Sequence, residues 1–136
     1  MAEPEILVAP DTRAAVYQHL DTHSARTGAP AYGRIPSPRP KIFTRVRPVG
    51  GFDEDLVTVV HRVTVEAYAS TEDAAMKLAL QNDAILLAAG RAGRIGEVTV
   101  RRVDVESTPD FLPDPLLPEV ARATATYAIA ARRTAL

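Results

Sequence analysis

Residues 57–69 alternate strictly between two sets of side chains, and this alternation constrains the fold more than any other feature of the chain. One set is mostly apolar: Val57, Val59, His61, Val63, Val65, Ala67 and Ala69. The other is largely polar: Thr58, Val60, Arg62, Thr64, Glu66 and Tyr68. Successive side chains of a β-strand point to opposite faces. The pattern therefore predicts a strand over 57–69, longer than the usual ~5–6 residues, that extends beyond its own sheet.

Four further segments are predicted to form the remaining strands. Residues 41–49 alternate in the same way until Pro48, after which residues 50–55, Gly-Gly-Phe-Asp-Glu-Asp, predict a flexible acidic loop. The chain around 32–35 allows only a weak edge strand among several prolines. Residues 97–106 and 121–131 predict two more strands, and the prolines at 109, 113, 115 and 118 predict a long extended loop between them.

The strand over 97–106 contains a change of phase. Its four valines, Val98, Val100, Val103 and Val105, divide into two pairs of opposite parity. A β-bulge inserts one extra residue and restores the facing of the side chains beyond it. A bulge at Arg101 and Arg102 would place all four valines on the core face.

Two helices are predicted. The first follows an N-cap at residues 10–12 and extends to about Ala25, before the breaker Gly28-Ala29-Pro30. The second opens at 70–73 with an acidic first turn and ends at Gly90. We predict one α+β domain over residues 1–136, with residues 1–9 frayed. Its sheet is expected to be mostly antiparallel and twisted, of four to five strands, with both helices on one side.

Composition excludes several classes of function. The chain has no Cys, which rules out disulfides, thiolate metal sites, iron–sulfur clusters and a cysteine nucleophile. Its net charge of −1 argues against a protein that binds nucleic acid through overall basicity. No segment is long and apolar enough for a membrane helix, and the start lacks the basic and apolar regions of a signal peptide. With no Trp and 5% aromatic residues, the core must consist of small side chains, whose burial neighbouring copies would increase.

Candidate catalytic and ligand sites are weak. His19 and His23 share a helix face, but a metal site needs at least a third ligand, so we expect solvated histidines. Gly90, Gly93 and Gly96 follow a helix, which reverses the context of a dinucleotide-binding loop. The carboxylates of 53–55 lie on a loop with no His or Lys beside them, unlike a general acid–base pair. We therefore expect no enzyme, no cofactor and no metal.

Arginine clusters leave three interpretations open: a solvated face, a protein interface, or a nucleic-acid surface. They are Arg39, Lys41, Arg45 and Arg47; Arg91, Arg94, Arg101 and Arg102; and Arg132 and Arg133. Arginine pairs bidentately with carboxylates of a partner protein. Nucleic acid is the least favoured partner, because no aromatic residues alternate with the arginines as stacking platforms.

From Pro36 onward the chain resembles the tail terminator proteins of long-tailed (siphovirus) bacteriophages. The resemblance lies in the order and spacing of several elements, and the N-terminal helix also fits. In order they are Ile35-Pro36-Ser37-Pro38-Arg39-Pro40, Phe43-Thr44-Arg45-Val46, Gly50-Gly51, Val63-Thr64-Val65-Glu66-Ala67-Tyr68-Ala69, an Ala-rich helix, Pro113-Asp114-Pro115, and a final strand ending at Arg132.

The resemblance implies a non-catalytic virion protein assembled in the host cytoplasm. Such proteins form a hexameric ring at the head-proximal end of the tail; the ring caps the tail tube, stops its polymerisation and presents a surface to head-completion proteins. The implied partners are copies of the chain, the tube protein and a neck protein, with DNA passing through the lumen without specific binding. The alternative function within the same machinery is that of a head-completion or tail-tube ring protein. The alternative from another class is a small nucleic-acid-binding module.

The candidate interface residues are charged. We expect Arg45 or Arg47 of one copy to meet acidic residues of the next, with the 53–55 loop either as partner or facing the lumen. The Pro-rich loop 113–118 is expected to be a pre-ordered docking element. The full candidate set is Arg45, Arg47, Asp53, Glu54, Asp55, Arg101, Arg102 and Asp114.

Overall fold

The computed structural model describes residues 3–136. Its elements, in chain order, are β1 (Leu7–Val8), α1 (Thr12–Thr22), α2 (Ser24–Thr27), β2 (Ala31–Tyr32), β3 (Phe43–Asp53), β4 (Thr58–Ala69), α3 (Glu72–Ala92), β5 (Arg94–Ile95), β6 (Val98–Phe111), β7 (Ala121–Arg132) and β8 (Thr134–Ala135). The predicted α+β class is confirmed. The long strand predicted over 57–69 is β4, but it does not extend beyond its sheet, since every residue from Thr58 to Ala69 pairs with β7.

The main sheet has six strands in the order β2-β3-β4-β7-β6-β5. Four of its five pairings are antiparallel, but β2 runs parallel to β3. The sheet is therefore mixed and has more strands than the predicted four to five. The weak edge strand expected around 32–35 is β2, at Ala31–Tyr32, and the additional strand β5 is two residues long, which is too short for alternation to reveal it.

Both long helices pack on one face of this sheet, as predicted. Val16 and Leu20 of α1 and Leu86 of α3 share one buried cluster with strand residues such as Val63 and Tyr127. Helix α3 approaches β6 closely at Gly90, where an added Cβ would lie 3.0 Å from the Cβ of Val103. Small residues thus bring helix and sheet together in a core that contains no Trp.

Capping explains where the helices begin and end. The Thr71 side chain accepts a hydrogen bond from the Ala74 N–H at the start of α3, and Gly93 ends that helix with φ of 80°. At the start of α1, Asp11 accepts from the Ala14 N–H. The first helix ends at Thr22, short of the expected Ala25, and the chain continues as the single turn α2.

The flexible loop predicted over 50–55 is wrong for residues 50–53, which belong to β3. A register shift between Pro48 and Gly51 accommodates extra residues, and pairing with β4 then resumes. Gly50 and Gly51 adopt φ of 94° and 149°, and a Cβ on Gly51 would lie 2.0 Å from the Val60 carbonyl oxygen. The glycines therefore continue the strand through a bulge and do not end it.

Strand β6 confirms the predicted bulge. Its pairing with β7 shifts between Val100 and Arg102, and all four valines of the strand pack against the main core. The strand also extends to Phe111, so the expectation that Pro109 begins the loop is wrong. Pro109 falls in the third register shift of this pairing, between Ser107 and Asp110, where the ladder requires no N–H from it.

The two ends of the described chain lie together. Leu7 and Val8 pair antiparallel with Ala135 and Thr134, as a separate two-stranded sheet. Of the residues expected to be frayed, 1–9, residues 1 and 2 lie outside the described part, whereas Leu7 and Val8 are paired.

Candidate functional site

The sheet face away from the helices carries most of the charged residues of the central strands. Thr44 faces α3, where its Oγ1 accepts a hydrogen bond from Asn82 Nδ2 at 2.9 Å. Arg45 and Arg47 therefore point to the opposite face, because side chains alternate along β3. We call this opposite surface the helix-free face. Its central residues are Arg45, Arg47, Glu66, Tyr68 and Arg122.

Glu66 is the buried anion of the helix-free face, with 1% of its surface exposed. It lies directly opposite Arg45 in the β3–β4 ladder. Its Oε2 accepts a hydrogen bond from Arg122 Nη1 at 2.7 Å. Two further guanidinium nitrogens lie nearby, Arg45 Nε 3.5 Å from Oε1 and Arg47 Nε 3.4 Å from Oε2. Three cations from two flanking strands thus surround one carboxylate.

Arg122 also fixes the loop after β6. Its Nε donates to the Leu112 carbonyl at 2.7 Å and its Nη2 to the Pro113 carbonyl at 3.4 Å. The Tyr68 hydroxyl donates to Asp114 Oδ2 at 3.0 Å, and the Tyr68 ring stacks on Phe43 with centroids 4.6 Å apart. The candidate residue Asp114 is therefore part of the same buried cluster as Glu66.

The surroundings of Asp114 shift its titration. Burial by itself would raise the pKa of this carboxyl, but the Leu116 N–H, the Tyr68 hydroxyl and the charge of Arg122 together lower its pKa below the ordinary value. Burial and the charge of Glu66 raise the pKa of Tyr68. Asp114 is therefore ionised at neutral pH while Tyr68 remains protonated and donates to it.

Arg45 and Arg47 retain hydrogen-bonding capacity. Their buried Nε atoms and Glu66 Oε1 have no hydrogen-bond partner within residues 3–136. The Arg47 side chain is 44% exposed. The cluster holds three arginines against Glu66 and Asp114, so it has an excess of positive charge that a carboxylate or phosphate could neutralise.

The other candidate residues form a second cluster where the β3–β4 hairpin turns. Glu54 pairs with both Arg101 and Arg102, the closest approach being 2.5 Å to Arg102 Nη2. The hydrogen bond from Arg102 outweighs burial and lowers the pKa of Glu54. Asp53 pairs with Arg133, and Asp55 lies 3.7 Å from Arg101 Nη1. Within the chain, the 53–55 segment thus meets Arg101, Arg102 and Arg133. Its contact with Arg45 or Arg47 of another copy stays a prediction.

Small side chains on the central strand allow charges to meet across it. Ala128 and Ala130 of β7 form a small buried cluster with Val60 on the helix-free face. Above them, Arg62 of β4 donates from Nε to Glu106 Oε1 of β6 at 2.8 Å, across the whole width of β7. A larger residue in the central strand would occupy this space.

Glu66, Tyr68 and Arg122 are not among the candidate residues predicted from the sequence. Each lies at a polar position of an alternating strand, which normally indicates solvent. Glu66 is buried because β3 and β7 bring arginines to both sides of it. The available signal was a carboxylate flanked by apolar residues in the longest strand predicted from the sequence.

The histidines are apart from these clusters. The His19 and His23 rings meet edge to face with centroids 5.2 Å apart, beside a groove between α1 and α3. His61 Nδ1 lies 2.6 Å from Thr12 Oγ1. Residues 3–136 contain no group of three or more His, Asp or Glu side chains placed to hold a metal ion. In the same residues, no helix is long and apolar enough to cross a membrane.

Comparison with known proteins shows a fold that this chain shares with a solved structure. No family model and no curated protein sequence matches the chain. Among solved structures, a chain from the virion of a native gene transfer agent particle superposes with a TM-score of 0.62 and 16% sequence identity. The match covers 88% of this chain and 93% of that chain. The two chains therefore share a fold over nearly their whole length.

Proposed function

We propose that this chain is a structural, non-catalytic virion protein: a tail terminator that forms a ring on the tail tube, stops its polymerisation and presents the surface to which the head joins. The observation that carries the proposal is the shared fold with a gene transfer agent virion chain, over nearly all of both chains. The ordered resemblance from Pro36 to Arg132 supports the narrower role of tail terminator.

The two ends of the sheet offer surfaces suited to a cap with different neighbours on its two sides. At one end the β3–β4 hairpin exposes Leu56 and Val57; at the other, the loop 112–120 exposes Leu116, with 86% of its surface accessible. Exposed apolar residues at fixed positions favour contact with other proteins. In this proposal one end contacts the tube and the other the head-completion protein.

The loop 112–120 is a suitable docking element because its base is fixed. Arg122 hydrogen-bonds two of its carbonyls, and Asp114 bonds both Tyr68 and the Leu116 N–H. A loop ordered before it binds loses less conformational entropy on binding. Leu116 can therefore protrude from a rigid base.

Negative-stain electron microscopy of particles made without this gene tests the function. A terminator predicts over-long tails without heads, and restoring the gene from a plasmid should return tails to uniform length. Tails of normal length beside separate filled heads would assign the protein to head completion instead. Intact infectious particles would overturn the virion role.

A further inference from the structure

The main sheet leaves two long strand edges unpaired within residues 3–136. Strand β2 pairs with β3 only at Thr44 and Arg45, so residues 46–53 have β4 as their one neighbour. Strand β5 pairs with β6 only at Val98 and Thr99, and the Val100 N–H donates to the Gly93 carbonyl. Residues 101–111 of β6 then pair only with β7. Unpaired backbone groups along an edge are a template for another strand.

The two edges have compatible directions. Across β3, β4, β7 and β6 every neighbouring pair is antiparallel, so β3 and β6 run in opposite directions. If the β3 edge of one copy met the β6 edge of a second copy, the new pairing would continue the antiparallel pattern. Such a contact joins two different surfaces, and repetition around an axis closes a ring.

The charges of the two strands are complementary at one end in that arrangement. Successive cross-strand partners place Arg45 of β3 level with Asp110 of β6, through Glu66 and Thr124. In the same way, Phe52, which precedes Asp53, lies level with Arg102 of β6, through Val60 and Ala130. Thus β3 is basic, at Arg45 and Arg47, where the β6 edge is acidic; at the other end Asp53 and Arg102 already pair within the chain, with Arg133 and Glu54. Opposite charges on facing strands stabilise a pair.

The β3 edge also has room for another backbone. Nothing lies within 4 Å of the position of a Cβ on Gly50, and residues 48–53 are exposed. A glycine in a strand allows close approach of a second chain. Pro48 and Pro109 each lack an N–H, so the shared ladder would be interrupted at those positions.

We propose that copies of this chain join edge to edge, the free edge of β3 in one copy pairing antiparallel with the free edge of β6 in the next. This inference rests on the ring in the proposed function, but not on which part of the virion the ring occupies. It changes the expected partners of Arg45 and Arg47 in the next copy from the 53–55 segment to the acidic end of β6, around Asp110.

Cysteine cross-linking tests this contact without interference, because the chain has no Cys of its own. One variant carries Val49→Cys on β3, and two others carry Asp104→Cys or Ser107→Cys on β6. A disulfide requires Cα atoms within about 7 Å. The β3 variant is mixed with each β6 variant in turn under mild oxidation, so any mixed disulfide joins two copies. The control pairs Val49→Cys with Leu80→Cys, on the exposed surface of α3.

We expect mixed covalent dimers from Val49→Cys with at least one β6 variant, and none from the control pair or from either variant alone. The double variant Val49→Cys/Ser107→Cys should give covalent multimers up to the closed ring, in solution or in purified particles. Oligomers that form without this cross-link would overturn the edge contact but would not contradict the ring of the proposed function. A monomer in both solution and particles would overturn the edge contact and also the ring of the proposed function.

Discussion

The carboxylate of Glu66, in the longest alternating strand, accepts a hydrogen bond of 2.7 Å from Arg122 on the neighbouring strand β7. The same guanidinium reaches the Leu112 carbonyl, so a charge inside the sheet is connected directly to the loop at its end. Burying a carboxylate is costly unless cations and hydrogen-bond donors replace water. Here three arginines surround the carboxylate, and one of them, Arg122, also donates a hydrogen bond to it.

Removing the charge of Glu66 should destabilise the fold. In Glu66→Gln three guanidinium groups lose their shared partner, and we expect the free energy of unfolding to fall by about 3 kcal/mol, as is usual when a buried ion pair is broken from one side. Urea denaturation measures it. The control Glu106→Gln removes a half-exposed partner of Arg62 and should cost less than about 1 kcal/mol. Equal losses for the two variants would contradict the central role of Glu66.

Asp114 should give the protein an acid-sensitive contribution to stability. Its pKa in the folded state lies below its ordinary value of 3.8, so its stabilising effect is fully present above that pH and is lost as the pH falls through the folded pKa. We expect Asp114→Asn to be less stable than the natural chain at pH 5–7, with the difference shrinking below about pH 4. Thermal melts across this range check it. A constant difference would show that ionisation is irrelevant.

His61 should act in a higher pH range. Burial, aided by Arg133, lowers its pKa below 6.5 despite the nearby Asp11 and Asp53. The unfolded chain therefore binds a proton more readily, and stability should decline as the pH falls through about 6.5 toward the folded pKa. His61→Gln should flatten this slope, whatever its effect on absolute stability. Melting temperatures between pH 7.5 and 5 measure the slope, and parallel curves for both proteins would refute the assignment.

The bulge in β3 can be tested with two adjacent glycines. Both have positive φ, but a Cβ on Gly50 meets open space whereas one on Gly51 lies 2.0 Å from a backbone oxygen. We expect Gly50→Ala to cost about 1 kcal/mol from backbone strain alone. Gly51→Ala should cost clearly more, because the β3–β4 pairing must shift. Chemical denaturation compares them, and a smaller loss for Gly51→Ala would mean that the strand adjusts freely there.

A substitution at Leu116 can test docking without changing the stability of the fold. Because its side chain is almost fully accessible, Leu116→Asp should change the free energy of unfolding by less than about 0.5 kcal/mol. In phage particles we expect it to reduce the fraction of tails joined to their neighbours, counted by electron microscopy. Leu80→Asp, on the exposed side of α3, is the matched control and should leave joining normal. Normal joining with Leu116→Asp would remove this residue from the docking surface.

Local patterns predicted those elements that depend on local rules. Strand β4 follows from alternation, and the bulge in β6 from the change of parity among its valines. The start of α3 follows from residues 70–73, but its predicted end at Gly90 is wrong, because the helix continues to Ala92 and ends at Gly93. The two glycines of β3 gave the wrong prediction of a loop, because Gly-Gly commonly marks a turn. Here the pairing with the neighbouring strand β4 continues beyond them. Whether glycine ends a strand depends on its partner, which local sequence does not specify.

The candidate site was predictable in its residue types but not in its pairing. Asp53, Glu54 and Asp55 do meet arginines, yet these are Arg101 and Arg102 of β6 and Arg133, which follows β7. Glu66 and Arg122 are 56 residues apart, and only the order of the strands places them side by side. Burial of a charge is a property of that order, so alternation alone assigned Glu66 to solvent.

The pairing of β1 with β8 makes the path of the chain nearly circular, since the Leu136 N–H donates to the Ile6 carbonyl at 2.9 Å. A short linker could join these ends, and the chain could be opened instead at Leu116 in the exposed loop. Such a circular permutant would preserve every strand pair of the main sheet while reversing the order in which its halves are synthesised.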